Sequence, residues 1–326
     1  MFYTLFPKKR ETHQGNERKN KERLRKRTKK IAFSVRMCYT FFMNDCTLCP
    51  VQCRVDRTKT AGRCRVNGLK IAKYGLHPYE EPPLSGERGA GTVFFCGCSL
   101  QCVFCQNFEL SRNKRGKEIT VQELAEIFRA LEEKGAATVD LVSPTQYADK
   151  IAEALSLYRP RIPVVYNTHG YERIETLQML SPFVDVWLPD LKFFSPKLSE
   201  RYTGRADYFE FASKAIEWMA QTPLSFDEEG TMQSGTLVRH LILPLSSSDS
   251  IALLKWLAPM KENVCLSLMS QYTPFGDIEA FPELQRTITD REYRRVLDAA
   301  LAIGFPRLFV QDKESASKDY IPDWDY

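Results

Sequence analysis

The tightest constraint on this chain is one short loop. Cys98, Cys102 and Cys105 stand in the spacing C-x3-C-x2-C, directly after the apolar run 92–95. Such a run, closed by Gly97, reads as a buried strand, so three thiols leave its end together. A disulfide, a metal site or a catalytic thiol would each account for them. Ten cysteines in 326 residues are too sparse for a secreted disulfide scaffold, and eight of them fall between Cys46 and Cys105. Clustering of that kind favours metal ligation. A reducing cytoplasm is then the expected compartment. No secretory signal is legible, and the apolar stretch 31–43, interrupted by Arg36, is too short to span a bilayer.

Closely spaced thiolates can wrap an iron–sulfur cluster. Three of them on a four-iron cluster leave one iron without a protein ligand, and an open position is what a catalytic metal requires. A disulfide, or a structural zinc with Cys96 as fourth ligand, is the alternative. A second set reads Cys46-x2-Cys49-x3-Cys53-x10-Cys64, with Gly62 and Gly68 permitting tight turns beside Cys64. Four thiolates suit either a tetrahedral zinc or an iron–sulfur cluster, so the metal is open. A closed site of this kind would be structural or electron-relaying. Cys38 and Cys265 read as ordinary thiols, and Cys96 as one packed at a strand end.

The charge is unevenly spread. Residues 1–36 carry 13 Lys or Arg against 3 acids, or +10; the net charge is +5, so the remainder sums to −5. The expected organisation is a basic, disordered tail over 1–40, a cysteine-rich leader over 41–90, a barrel over 91–312 and a C-terminal tail over 313–326. The mildly acidic body argues against a broad nucleic-acid face. Strands are expected at 92–96, 139–142, 163–166, 184–188, 237–243, 264–268 and 307–310, alternating with helices. Thr120-Val-Gln-Glu123 and Thr289-Asp-Arg-Glu292 have the capping-box form that opens a helix. Gly135 is placed to stop the first of these helices. The stretch 225–235 reads as an exposed loop. Alternation of this kind implies parallel strands joined by right-handed crossovers, in a partial barrel or a doubly wound sheet.

The loop Cys98-x3-Cys102-Val-Phe104-Cys105, followed by Gln106-Asn107, resembles the signature of the radical S-adenosylmethionine (SAM) superfamily. Residues 46–312 resemble the iron–sulfur proteins described as pyruvate formate-lyase activating enzyme-like, through Glu81-Pro-Pro-Leu-Ser-Gly86, Leu141-Val-Ser-Pro-Thr145, Val165-Tyr-Asn-Thr-His-Gly-Tyr-Glu172, Leu188-Pro-Asp-Leu-Lys192, Val238-Arg-His-Leu-Ile-Leu-Pro244 and Leu268-Met-Ser-Gln-Tyr272. The resemblance implies an α/β fold, a partial (β/α)6 TIM-like barrel preceded by the cysteine-rich metal-binding leader. It implies a 4Fe–4S cluster on Cys98, Cys102 and Cys105, and SAM as the molecule cleaved to a 5′-deoxyadenosyl radical. Polar residues at strand ends would then meet SAM: Thr145, Asn167, Asp190, Lys192 and His240. A Gly-Gly-Glu-like turn common among relatives is replaced here by Ser143-Pro144-Thr145. Arg239 and His240 must face opposite ways on their strand, and the resemblance favours His240 near SAM. Gln271 and Tyr272 would face substrate or cap a strand. The implied partners are a glycyl radical enzyme or another protein substrate, and a flavodoxin or ferredoxin as electron donor. Radical SAM modification of another peptide or of RNA, or a non-catalytic iron–sulfur or zinc protein, are the competing functions.

Overall fold

The computed structural model describes residues 2–4 and 45–311. The rest of the basic tail, Cys38 and the 313–326 segment lie outside the described residues. Eleven strands follow in chain order: β1 (Phe2–Thr4), β2 (Lys70–His77), β3 (Ala90–Phe95), β4 (Lys117–Glu118), β5 (Val139–Val142), β6 (Val164–Thr168), β7 (Val186–Pro189), β8 (Ser225–Phe226), β9 (Met232–Leu241), β10 (Cys265–Met269) and β11 (Leu308–Gln311). One sheet runs β1-β11-β10-β9-β7-β6-β5-β3-β2-β4. Along this order, from β3 to β11, every pairing is parallel; β8 lies off it. The order is linear among the described residues, so the barrel is partial and open, as expected. β2 and β4 extend it antiparallel on one side, and β1 pairs antiparallel with β11 on the other.

The sequence builds these elements in the expected way. β3, β5, β6 and β7 are buried at every position, the mark of parallel strands covered on both faces. Both capping boxes form. The Thr120 hydroxyl accepts from the Glu123 amide, and the Glu123 carboxylate accepts from the Thr120 amide; Thr289 and Glu292 do the same. The helix Val121–Glu133 lays Leu124, Ile127, Phe128 and Leu131 against the sheet. The barrel interior holds Leu84, Val165, Val186, Leu188, Met232, Leu237, Cys265 and Phe309.

The stretch 225–235 departs from expectation. β8 pairs antiparallel with β9, which begins at Met232, so the segment is a hairpin. Ser225 and the acidic tip, Asp227-Glu228-Glu229-Gly230, are exposed, while Met232 is fully buried in the interior. Polar composition at the tip masked a strand that begins with a core anchor.

The leader and the barrel share one core. Cys46, Leu48, Cys64 and Val66 pack in the same cluster as Val93, Phe95, Leu141 and Tyr166. They approach tightly at Gly97, where a Cβ would stand 2.5 Å from the Cys64 carbonyl oxygen and 2.8 Å from Val66 Cγ1, at φ +77°. Gly135 has a similar φ of +81° but open space around it. Gly135→Ala should therefore cost only backbone strain, about 1–3 kcal/mol. Gly97→Ala should cost clearly more, because backbone must also move. Urea denaturation of the two variants measures the difference; equal losses would remove the leader–barrel contact from the account.

Candidate active site

The three cysteines of the opening loop reach one place. Cys98, Cys102 and Cys105 line a cavity of about 230 Å³ at the C-terminal ends of the parallel strands. Ligands of barrel folds are met at that end. Burial pushes the Cys98 and Cys102 thiols up to about 11 and about 12, and raises Cys105 as well; the Lys192 ammonium pulls all three the other way. Backbone amides of Leu100 and Gln101 donate to the Cys98 sulfur, and that of Asn107 to the Cys105 sulfur. Amide donors and a nearby cation favour thiolate once a metal displaces the protons. The residues present thus fit a cluster held by three thiolates. Cys96 does not join them: its thiol donates to the Arg115 carbonyl at 3.2 Å, away from the site, which removes it as a fourth ligand.

Around the thiols the strand ends supply charge. Asp190, after β7, accepts from Lys192 Nζ at 2.7 Å and from Arg239 Nε at 2.9 Å. Arg239 also donates to Asn167 Oδ1 at 2.6 Å and to Glu80 Oε1 at 3.3 Å. Asn167 donates in turn to Asp140 at 3.2 Å. Burial alone would raise Asp190, but Arg239 and Lys192 hold its carboxyl below the ordinary value. Burial likewise opposes the charge on Lys192, and Asp190 overcomes it, so the ammonium is retained. Asp140 and Glu81 are different. Burial drives both up, Glu81 to about 7, and Glu80 adds to the effect at each.

Of the expected SAM contacts, Asn167, Asp190 and Lys192 line the cavity. Two do not. His240 faces outward between sheet and helix: its Nδ1 is 2.6 Å from the Leu191 carbonyl and its Nε2 is 2.8 Å from Ser250 Oγ. Burial lowers it to about 4, so the ring is neutral. Arg239 takes the inward position instead. The parity was present in the sequence: Leu237 faces the interior, and Arg239, two residues on, must share its side. Thr145 is also turned away, its hydroxyl donating to Glu172 at 2.5 Å. Ser143 lines the cavity at φ +57°, but its carbonyl already accepts from Gln146 Nε2 at 2.8 Å. At the β10 end Gln271 lines the cavity, whereas Tyr272 is buried with its hydroxyl on the Leu284 carbonyl.

Reading along the chain missed Glu80, Glu81 and Ser99. The first two follow β2 and enter the cavity because β2 joins the barrel sheet beside β3. His169 also lines the cavity. Its Nδ1 accepts the Tyr171 amide at 3.1 Å, which leaves Nε2–H to face Ser99 Oγ at 3.3 Å. Burial pushes His169 down to about 3, so this donor carries no charge.

Parts of the chain are similar to known proteins. The family model described as the Radical SAM superfamily matches residues 92–225. An uncharacterized protein of Methanocaldococcus jannaschii is 29% identical over 281 residues, covering 83% of this chain and 78% of that protein. Streptococcus suis SuiB bound to S-adenosylmethionine aligns with a TM-score of 0.47 at 17% identity, covering 66% of this chain and 48% of SuiB. A domain of pyruvate-formate lyase-activating enzyme from Bacteroides vulgatus aligns with a TM-score of 0.33 at 13% identity, over 59% of this chain and 91% of that domain. The chain spans about half the length of the SuiB structures it matches.

Behind the cavity, Glu172 Oε1 accepts from Thr145, Thr168 and Tyr166, while Oε2 has no partner. Burial pushes this carboxyl up to about 7, from an ordinary 4.5. The fold therefore favours the protonated form. Its stabilisation is complete below pH 4.5 and is lost as pH rises through 7, by roughly 2–3 kcal/mol for a shift of this size. Glu81 acts in the same window and direction. The urea midpoint should fall between pH 5 and pH 8, and Glu172→Gln should make that slope clearly shallower. A wild-type midpoint that is flat across this range would show the carboxyl to be ionised at ordinary cost.

Proposed function

We propose that this chain, whose residues 92–225 match the Radical SAM superfamily model, binds SAM in the 230 Å³ cavity and cleaves it reductively, so that the radical formed abstracts hydrogen from a glycine of a partner protein. One observation carries the reading: Cys98, Cys102 and Cys105 open into the same cavity as Asn167, Asp190, Lys192 and Arg239. A 4Fe–4S cluster held by the three thiolates, when bound, supplies one electron to SAM, whose sulfonium C–S bond breaks to give methionine and a 5′-deoxyadenosyl radical.

The chain's own residues have separate tasks. SAM brings an ammonium, a carboxylate and a sulfonium. Asp190 offers the ammonium a carboxylate, and Lys192 offers the carboxylate a cation; both are already in place, held by each other and by Arg239. Arg239 keeps Asp190 ionised in a buried setting and fixes Asn167 beside it. Strand walls and the aromatic faces of Phe94 and Phe104 keep water from the radical's path.

The narrower assignment to glycyl radical activation is supported by the Asp190-Leu-Lys192 sequence and by the resemblance of residues 46–312 to activating enzyme-like iron–sulfur proteins. A flavodoxin or ferredoxin suits the electron supply. A cytoplasmic setting suits thiols that must stay reduced. Among the described residues no helix is long and apolar enough to cross a membrane.

The test is anaerobic. The reconstituted, reduced protein should convert SAM to 5′-deoxyadenosine, and the Cys98→Ala, Cys102→Ala, Cys105→Ala triple variant should not. Lys192→Met should weaken SAM binding about 10- to 100-fold, the loss of one charge-assisted hydrogen bond. With a glycyl radical enzyme substrate deuterated at glycine, the label should appear in the 5′-deoxyadenosine. Nucleoside formation without label transfer would keep SAM cleavage and overturn the glycyl assignment.

A further inference from the structure

Two buried acceptors of the cavity have no part in the function above. In the barrel interior the strands turn polar one step beyond an apolar layer. Val165, Leu188, Leu237, Cys265 and Phe309 make that layer together with Leu84. Two residues on, and so on the same side of each strand, stand Asn167, Asp190, Arg239, Ser267 and Gln311. Asn167 and Asp190 are engaged by Arg239. At the end of β11, Gln311 donates from Nε2 to Gln271 Oε1 at 3.2 Å, and its own Oε1 has no hydrogen-bond partner. Both glutamines line the cavity.

Glu81 lines the same cavity from the segment after β2. It precedes the short helix Pro82–Ser85, whose Leu84 is fixed in the apolar layer. Glu81 is only 3% exposed and Gln311 5%. Glu81 Oε2 has no hydrogen-bond partner. Its neighbour is satisfied by contrast: Glu80 Oε1 accepts from Arg239 at 3.3 Å and from the Glu81 amide at 3.1 Å. Buried polar atoms are rarely left unpaired. A carboxylate oxygen and an amide oxygen only accept, so what these two lack is a donor.

The charge count says what kind of donor. Glu80, Glu81 and Asp190 in the cavity, with Asp140 beside Asn167, are four carboxyls around two cations, Lys192 and Arg239. Those cations bond Asp190 and Glu80. In the reading above, the ammonium and carboxylate of SAM are matched by Asp190 and Lys192. Glu81 is left to a further cation. Burial raises its carboxyl to about 7; Arg239 on β9 opposes the rise, and Glu80 and Asp190 add to it. The Ser267 hydroxyl on β10 opposes it from outside hydrogen-bond geometry, and Cys265 of the same strand also faces Glu81. A cation that reaches Glu81 below pH 7 therefore expels a proton to solvent and leaves a carboxylate–cation pair. Above pH 7 the carboxylate is already formed.

We infer that Glu81 and Gln311 form a second subsite of this cavity, which takes an ammonium or guanidinium group of the molecule that gives up hydrogen. Glu81 supplies a carboxylate and Gln311 an amide oxygen, each receiving an N–H of that group. In a protein substrate the group is a Lys or Arg side chain near the reacting glycine. That the molecule is the hydrogen donor rests on the SAM-cleaving reading; the cation site does not, and the test reads binding alone.

The full chain, without SAM, is titrated calorimetrically with the methylamides of N-acetyl-lysine, N-acetyl-arginine and N-acetyl-norleucine. The norleucine compound has the apolar chain without the charge. Titrations are run at pH 6 and pH 8, in two buffers of different ionisation enthalpy. At pH 8 the charged compounds should bind at least about 10-fold tighter than the neutral one. At pH 6 they should bind about 10-fold more weakly than at pH 8 and release close to one proton, against almost none at pH 8. Glu81→Gln keeps the shape of the neutral acid. It should abolish the proton release and weaken binding at pH 8 about 10- to 100-fold. Gln311→Leu should weaken binding and leave the proton release in place. The tighter of the two charged compounds identifies the group. Equal binding of the norleucine compound, no binding of either cation, or a proton release that survives Glu81→Gln overturns the inference. So does release of the same proton by SAM alone, which would make Glu81 part of the SAM site. Wild type by itself gives the first two outcomes and the last, so misfolding of a variant cannot decide the matter. No arm reads SAM cleavage, so failure of that reading leaves the cation site standing.

Discussion

The site depends on burying one guanidinium. Arg239 points into the barrel from β9, where an unpaired charge would be prohibitively costly. Asp190, Asn167 and Glu80 bond it from three different elements. Each of those bonds fixes something else. Asp190 is held ionised and orients Lys192 toward the thiols. Asn167 is fixed at the β6 end. Glu80 ties the segment after β2 across the mouth. A single charge so placed draws the leader, β6, β7 and β9 into one polar constellation.

Charge is balanced around it by protonation. Two cations, Lys192 and Arg239, are bonded by Asp190 and Glu80. Glu81 in the cavity and Asp140 beside Asn167 have no cation of their own, and burial makes both weaker acids. A cavity so balanced leaves its ion pairs available for a zwitterionic ligand to exchange with.

The leader is part of the barrel's architecture. Its β2 is a strand of the barrel sheet, its Cys64 and Val66 fill the floor under Gly97, and its Arg63 secures the loop at Ser99. The loop of Cys98, Cys102 and Cys105 is therefore braced from both sides, by barrel strand β3 and by the cysteine-rich segment. Only glycine can stand at 97, since the approach of two backbones leaves no room for a side chain.

The sequence by itself determined the local chemistry. The C-x3-C-x2-C loop, both capping boxes, the buried parallel strands and the polar strand ends at Asn167, Asp190 and Lys192 were legible because each depends on residues near one another in the chain. Tertiary structure decided what depends on facing and on distant neighbours. His240 and Arg239 are adjacent in sequence, and the resemblance pointed to His240; the strand's pleat and the interior position of Leu237 turned Arg239 inward. Thr145 was at the right strand end, yet a carboxyl 27 residues away captured its hydroxyl. The acidic tip at 227–230 hid a hairpin whose anchor, Met232, is recognised only by its burial. Glu80, Glu81 and the contact of Cys64 with Cys98 come from the folding of the leader onto β3, a pairing that no local pattern encodes.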